Sequence, residues 1–198
     1  MSELILASTS ATRRRLLRAA GLRFTAEAAH VDETSVVESL AAEKAKPRDV
    51  ADVLAELKAV KISNRHPEAT VIGADQVLSL GAEMFQKPAD RDAARDQLRR
   101  LRGRTHVLSS AVCVARGGSV VWRVVEEARL TMRAFSDDFL DAYLVDAGED
   151  ILGSVGAYHV EGIGIQLFSK IEGDAFTIQG LPLLPLIDFL RTHGMVRA

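Results

Sequence analysis

Apolar residues recur along this chain with two different periods, and the switches between them divide it into elements. Leu4-Ile5-Leu6-Ala7-Ser8 is a short apolar strand, followed by Thr9-Ser10 and a helical stretch from Ala11 to Ala20. Ser10 suits the N-cap of that helix and Gly21 the position just past its end. Leu16, Leu17 and Ala20 make an inward stripe, and Arg13, three and four places before the leucines, lines up with it in the first turn. Arg14, Arg15 and Arg18 fall on the solvated face. Arg23 to Ala28 reads as a second strand, and His30-Val31-Asp32-Glu33 ends an extended segment with two acids. A weaker helix follows from Val36 to Lys46, stopped by Pro47. A stronger one runs from Asp49, as its cap, to Arg65, with Val50, Val53, Leu54, Leu57 and Val60 as its stripe. Lys58 and Lys61 both border that stripe, and helical geometry does not choose between them.

The second half begins with Thr70 to Leu80, a strand whose apolar run is broken by Asp75. A carboxylate there is disfavoured in a strand and costly to bury without a partner. Gly81-Ala82 reads as a hairpin that brings Lys87-Pro88 back toward the acid. Asp90 to Arg102 is a charged helix with Ala94, Leu98 and Leu101 inward; its arginines alternate with aspartates, as in surface ion pairs. Two long strands, Thr105 to Ala115 and Ser119 to Met132, are joined at Gly117-Gly118. Ser136 opens a helix with Phe139, Leu140 and Tyr143, the segment from Asp146 to Gly162 is rich in turns, and Ile163 to Ile171 returns to strand. Gly180-Leu181-Pro182 starts the last helix, whose core positions are Leu183, Leu184, Leu186, Ile187 and Leu190.

Interspersed strands and helices with two hairpins predict an α/β fold with a mixed sheet flanked by helices. The chain has 198 residues, 47% of them hydrophobic, enough for a sizeable core in one domain spanning residues 1–198 or in two closely packed lobes. A net charge of −2 gives no field that would recruit nucleic acid or an anionic membrane. The single cysteine, Cys113, sits in an apolar strand and reads as a small buried hydrophobe. No apolar run approaches a membrane span and the amino terminus lacks the order of a signal peptide, so a cytoplasmic protein is expected.

Ligands of such sheets bind outside the carboxyl ends of the strands. Ser8 ends one strand and Asp75 lies toward the end of another, and the turn from Ser8 to Ser10 leads into a helix amino end suited to phosphate. The glycines of a Walker loop are missing. Arg13, Lys58 and Lys87 can bring positive charge to that rim, and Glu33 a second carboxylate. Two carboxylates and several cations around a phosphate seat suggest a divalent metal and a triphosphate. The plainer alternative for Asp75 is a turn cap, and for Glu33 a surface acid.

Leu4-Ile-Leu-Ala-Ser-Thr-Ser10 with Arg13 and Leu16-Leu17, then Val31-Asp32-Glu33, Leu57-Lys58-Ala59, Ile72-Gly-Ala-Asp-Gln-Val77, Lys87-Pro88, Leu98 through His106, and Gly180-Leu-Pro182 together resemble the ordered motifs of the Maf family of nucleoside triphosphate pyrophosphatases. The likeness runs from Leu4 to about Leu190. It implies an elongated, two-lobed α/β domain with a central cleft, similar in fold to the inosine triphosphate pyrophosphatases. It also implies hydrolysis of a nucleoside triphosphate to monophosphate and pyrophosphate with Mg, Mn or Co. By position, Asp75 matches the family's proton acceptor and a metal contact, and Glu33 a metal ligand. Ser8, Ser10, Arg13, Lys58 and Lys87 match residues that hold the phosphates. A homodimer is compatible with the resemblance, whereas nucleic acid and membrane are not expected partners.

The departures from the family pattern bear on the base. Ser10-Ala11-Thr12-Arg13 stands where many members have Ser-Pro-Arg-Arg, so Thr12 replaces an arginine. Gln76 follows the catalytic acid where the thymidine and uridine triphosphate group has Thr, and Glu161 stands where that group has Gln. Both resemble the subgroup acting on 7-methylguanosine triphosphate, which makes Thr12, Gln76 and Glu161 the expected specificity residues. Strict alternation points Asp75 and Gln76 to opposite faces, so the strand is expected to end or bulge near Gly73 if both are to serve the site. The rival from another class is a non-enzymatic nucleotide- or nucleic-acid-binding regulator of cell division.

Overall fold

A computed structural model describes residues 3–197. Its strands are Leu4–Leu6 (β1), Thr25–Ala26 (β2), Thr70–Leu80 (β3), Glu83–Phe85 (β4), Thr105–Arg116 (β5), Ser119–Met132 (β6) and Phe168–Glu172 (β7). Its helices are Ala11–Ala19 (α1), Glu33–Ala42 (α2), Pro47–Ser63 (α3), Arg91–Leu101 (α4), Asp137–Ala147 (α5), Ala175–Ile178 (α6) and Leu183–Thr192 (α7). The strands form one mixed sheet in the order β2-β1-β3-β5-β6-β7, with β4 paired to β3, and helices flank it as the pattern predicted. No helix among the described residues is long and apolar enough to cross a membrane.

The chain forms two compact units. One takes in residues up to Gln76, Ser109–Glu126 and Asp174 onward; the other takes in Val77–Leu108 and Glu127–Gly173. In the first, β1 lies parallel to β2 and to β3, with Leu4 opposite Thr70 and Leu6 opposite Ile72. Leu4, Leu6, Ile72, Val112 and Val114 from the strands pack with Leu16 and Leu17 of α1 and with Leu183, Leu186 and Leu190 of α7. Burying such side chains stabilises the fold by about 1.5–3 kcal/mol apiece. In the second unit, α4 draws its arginines into ion pairs: Arg95 with Asp141, Arg100 with Glu83, and Arg99 with Asp137. These are surface ion pairs, as expected, but their acids lie outside the helix and are not the aspartates that alternate with the arginines in sequence. Cys113 is fully buried and its thiol is pushed up to about 12, chiefly by desolvation, consistent with a core hydrophobe.

Several local expectations need correction. Pro47 does not merely stop the helix before it; it occupies the first turn of α3, where its missing N–H costs nothing. Lys46 rather than Asp49 is the N-cap, and Asp49 sits in the first turn. The apolar stripe of α3 is turned from the one drawn through its largest residues. Leu57 is exposed and Ala51, Ala55 and Ala59 are buried. Ala20 and Leu184 are likewise exposed, while Phe189 is core. Residues Ile163–Leu167 form a 3₁₀ helix before β7 instead of continuing a strand, and the one-turn helix α6 was not anticipated.

Candidate active site

The turn after β1 builds the first part of the site. Ser10 caps α1, its Oγ accepting from the Arg13 amide at 3.3 Å, while its own amide donates to Ser8 Oγ at 3.2 Å. Arg13 reaches back over this turn: Nη1 donates to Ser8 Oγ at 3.4 Å and Nε to the Gly180 carbonyl at 2.8 Å. Burial lowers the pKa of its guanidinium, and the charges of Asp75 and Glu33 counter that effect. Thr12 lies half-buried beside it in the first turn.

The second part depends on a close approach of α3 to β3. Gly73 lies under the helix so tightly that a Cβ there would stand 2.2 Å from the Ala55 carbonyl oxygen and 2.6 Å from the Ala59 amide. A glycine within a strand often marks such an approach, and the facing alanines complete it. β3 does not end at Gly73, one of the two ways in which Asp75 and Gln76 were expected to serve one site; it runs from Thr70 to Leu80. Lys58 lies on the buried alanine face of α3, one turn beyond Ala55. Its Nζ donates to Asp75 Oδ1 at 2.5 Å and pairs with Glu33 Oε1 at 2.7 Å. Lys61, left open beside it in the sequence, turns instead to the His30 carbonyl at 2.6 Å.

Glu33 opens α2, which Asp32 caps by accepting from the Ser35 amide at 3.1 Å. The Glu33 side chain is half open to solvent, whereas Asp75 is buried. Desolvation raises the Asp75 pKa above the ordinary carboxylate range, opposed by the charge of Lys58 and then of Arg13. A buried acid poised this way suits proton transfer. Glu33 and Asp75 both direct an oxygen at one cation, Lys58 Nζ. No cluster of three or more His, Cys, Asp or Glu side chains suited to a metal occurs among the described residues. The donor set available is thus two carboxylates, which fits an ion such as Mg²⁺ that completes its shell with phosphate oxygens and water.

Gln76 points away from this cluster, on the other face of β3. Its Nε2 donates to Ser110 Oγ at 2.9 Å and to the carbonyls of Thr177 and Ile178 at 3.1 and 3.0 Å. Ser8, Ser10, Thr12, Arg13, Glu33, Lys58, Asp75 and Gln76 all belong to one unit; Lys87 and Glu161 belong to the other, and both are exposed there. Glu161 sits in a turn whose approach is fixed by buried polar contacts. His106 Nε2 is hydrogen-bonded to Tyr158 Oη at 2.7 Å, and Tyr143 Oη donates to the Ala157 carbonyl at 3.0 Å. Sequence reasoning missed the carbonyl of Gly180 and the hydroxyl of Ser110. Gly180 carried a signal, since a glycine two places before a helix-starting proline invites a positive φ, here +89°.

Acids and cations thus gather beyond the end of β1 and beside the middle of β3. The chain belongs to the Maf-like protein family, whose model matches residues 3–193. Among its relatives, a nucleoside triphosphate pyrophosphatase of Paramagnetospirillum magneticum is 57% identical over 96% of this chain and 98% of that protein. A 7-methyl-GTP pyrophosphatase of Brucella abortus is 52% identical over 98% of each chain, and one of Rhizobium meliloti is 51% identical over the same shares.

Proposed function

We propose that this protein hydrolyses a nucleoside triphosphate to the monophosphate and pyrophosphate, with 7-methylguanosine triphosphate as its preferred substrate. The observation that carries the proposal is Asp75, a buried carboxylate of raised pKa held by Lys58 and influenced by the charge of Arg13 from the first turn of α1. Asp75 takes a proton from water as the water oxygen attacks the α-phosphorus; the bond from that phosphorus to the α,β-bridging oxygen breaks, and pyrophosphate leaves. Lys58 holds the Asp75 carboxylate in place. Arg13 and the hydroxyls of Ser8 and Ser10 orient the phosphates, and Lys87 supplies a further cation to them. Each such charged contact contributes about 2–4 kcal/mol of transition-state stabilisation in comparable sites. Glu33 and Asp75 would hold a divalent metal, which when bound neutralises phosphate charge.

Specificity is assigned to Glu161, with Thr12 supporting it. A carboxylate accepts the N1–H and N2–H of a guanine edge, whereas uracil and thymine offer one donor between two acceptors and suit an amide better. Methylation at N7 adds a positive charge to the ring, which a carboxylate also favours. Cytoplasmic hydrolysis fits the same proposal, and the substrates it requires are free nucleotides. The names of the relatives support the reaction class, and two of those names support the base.

Pyrophosphate release from a panel of nucleoside triphosphates, with Mg²⁺, Mn²⁺ or Co²⁺, tests the proposal. Asp75→Asn is close to isosteric but takes no proton, and it is expected to abolish release in a folded protein. Near-normal turnover in that variant would remove Asp75 from the role of base. No specific observation favours a purely regulatory binding protein, which needs no buried proton acceptor.

A further inference from the structure

Gln76 neighbours the catalytic acid in sequence, yet its amide is spent on a different part of the chain. Its Nε2 donates to three acceptors, Ser110 Oγ and the carbonyls of Thr177 and Ile178. Ser110 Oγ, itself fully buried, donates to the same Thr177 carbonyl at 2.7 Å, and the Gly180 amide donates there too at 3.0 Å. The Thr177 hydroxyl is anchored in turn on Glu126 Oε2 at 2.9 Å, and its amide on Asp174 at 2.7 Å. These bonds fix the turn between α6 and α7, and two residues beyond Ile178 that turn presents the Gly180 carbonyl to Arg13 Nε at 2.8 Å.

The geometry points to Gln76 as a positioning residue. It locks the turn after α6 so that the Gly180 carbonyl aims the Arg13 guanidinium toward Ser8 and the phosphate seat. A guanidinium is planar, so one acceptor fixed on Nε sets the direction of the two terminal nitrogens. One of these already faces Ser8 Oγ. Gly180 also lies between these two side chains: a Cβ on it would stand 3.5 Å from both the Arg13 guanidinium and Gln76 Oε1, ordinary van der Waals contact. The influence of Gln76 on substrate is then exerted through the phosphates and is blind to the base. This inference rests on the role given above to Arg13 as a phosphate holder.

Inorganic tripolyphosphate, which has no base, separates these roles when used as a competitive inhibitor of pyrophosphate release by the full chain. Gln76→Met keeps the length of the side chain and removes both donors. It is expected to weaken tripolyphosphate inhibition about tenfold, the scale of a buried hydrogen bond lost. It should raise KM for 7-methylguanosine and uridine triphosphates by the same factor, with little change in kcat. In an Arg13→Ala background the further loss should vanish. Unchanged tripolyphosphate inhibition in Gln76→Met, with inhibition weakened in Arg13→Ala, overturns the inference and leaves the phosphate role of Arg13 standing. A change in the ratio between the two bases also overturns it, since Gln76 would then read the base. Unchanged inhibition in both variants removes Arg13 from the phosphate seat and the inference with it. If Gln76→Met does not fold, Ser110→Ala tests the same turn. It should give a smaller loss of the same base-blind kind, and an unchanged inhibition constant would count against the inference.

Discussion

Lys58 Nζ stands 2.5 Å from Asp75 Oδ1, so a lysine from the buried face of α3 meets the one carboxylate inside the apolar run of β3. Burial raises the pKa of Asp75 and Lys58 is the largest influence lowering it again. A general base works only when deprotonated, so the acid limb of kcat/KM should lie above the ordinary carboxylate pKa of 3.8. Lys58→Met removes the opposing charge and should move that limb to still higher pH while reducing the plateau. A pH–rate profile of both proteins checks this; a limb that stays put in the variant would mean that Asp75 does not set it.

Glu33→Ala should change metal dependence far more than stability. The side chain is 54% exposed and begins a helix whose cap is Asp32, so its loss removes no core contact. Titrating Mg²⁺ or Mn²⁺ against pyrophosphate release, alongside thermal unfolding, separates the outcomes. A metal requirement that is unchanged, with a large fall in Tm, would identify Glu33 as a structural acid.

Gly73→Ala should be among the most destabilising single changes in the chain. The added carbon would meet backbone, the Ala55 carbonyl oxygen at 2.2 Å, which cannot swing aside as a flexible side chain would. Overpacking of this kind costs about 3 kcal/mol, which for a domain of this size lowers Tm by roughly 6–12 °C. Activity should fall beyond what the folded fraction explains, because α3 carries Lys58. Thermal melts with activity measured well below Tm provide the check.

Much of this was legible in the chain. The bounds of β3 and the caps Ser10 and Ser136 follow from local chemistry that tertiary packing does not override. The motif residues Ser8, Ser10, Arg13, Glu33, Lys58 and Asp75 do converge in one unit. The buried face of α3 is not legible from bulk: a stripe drawn through Val53, Leu57 and Val60 follows size, whereas this interface selects the smallest side chains to let backbones approach. Alternation along β3 already separated Asp75 from Gln76. What sequence does not carry is the partner across the strand, since Ser110, Thr177 and Gly180 are brought to Gln76 only by the fold. Similarly, Ile163 to Leu167 is apolar enough for a strand, but Gly164 packs against the His159 backbone in a tight turn that periodicity does not encode.

Glu161→Gln should narrow the proposed preference for 7-methylguanosine triphosphate over uridine triphosphate. Leaving a polar pocket group unmatched costs about 1–3 kcal/mol, roughly five- to over a hundredfold in relative kcat/KM. Ratios of kcat/KM for the two substrates in both proteins decide the matter. Equal ratios would leave Glu161 as a turn residue before Gly162.

Acid should weaken the second unit through His106. Burial pushes its pKa from 6.5 down to about 4, so the folded protein keeps the ring neutral while the unfolded chain takes up a proton. The stability present above pH 6.5 is therefore lost as pH falls toward 4, by about 3 kcal/mol in all. His106→Gln can still bond the Tyr158 hydroxyl but does not titrate, and it should flatten the stability curve across that window. Urea unfolding between pH 7 and 4.5 measures the slope, and an unaltered slope would place the effect on other groups.

The unbroken run of β3 leaves the chain no harmless slip at its centre. Asp75 serves the layer containing α3 and Gln76 the layer containing the turn after α6, and the parallel register of Leu4, Ile5 and Leu6 with Thr70, Val71 and Ile72 decides which is which. A shift of one residue would present the amide to Lys58 and the acid to a row of carbonyl oxygens. It would also bring a side chain, in place of the hydrogen of Gly73, beneath the Ala55 carbonyl. Insertions and deletions between Thr70 and Gln76 should therefore be far less tolerated than substitutions there, however conservative the inserted residue.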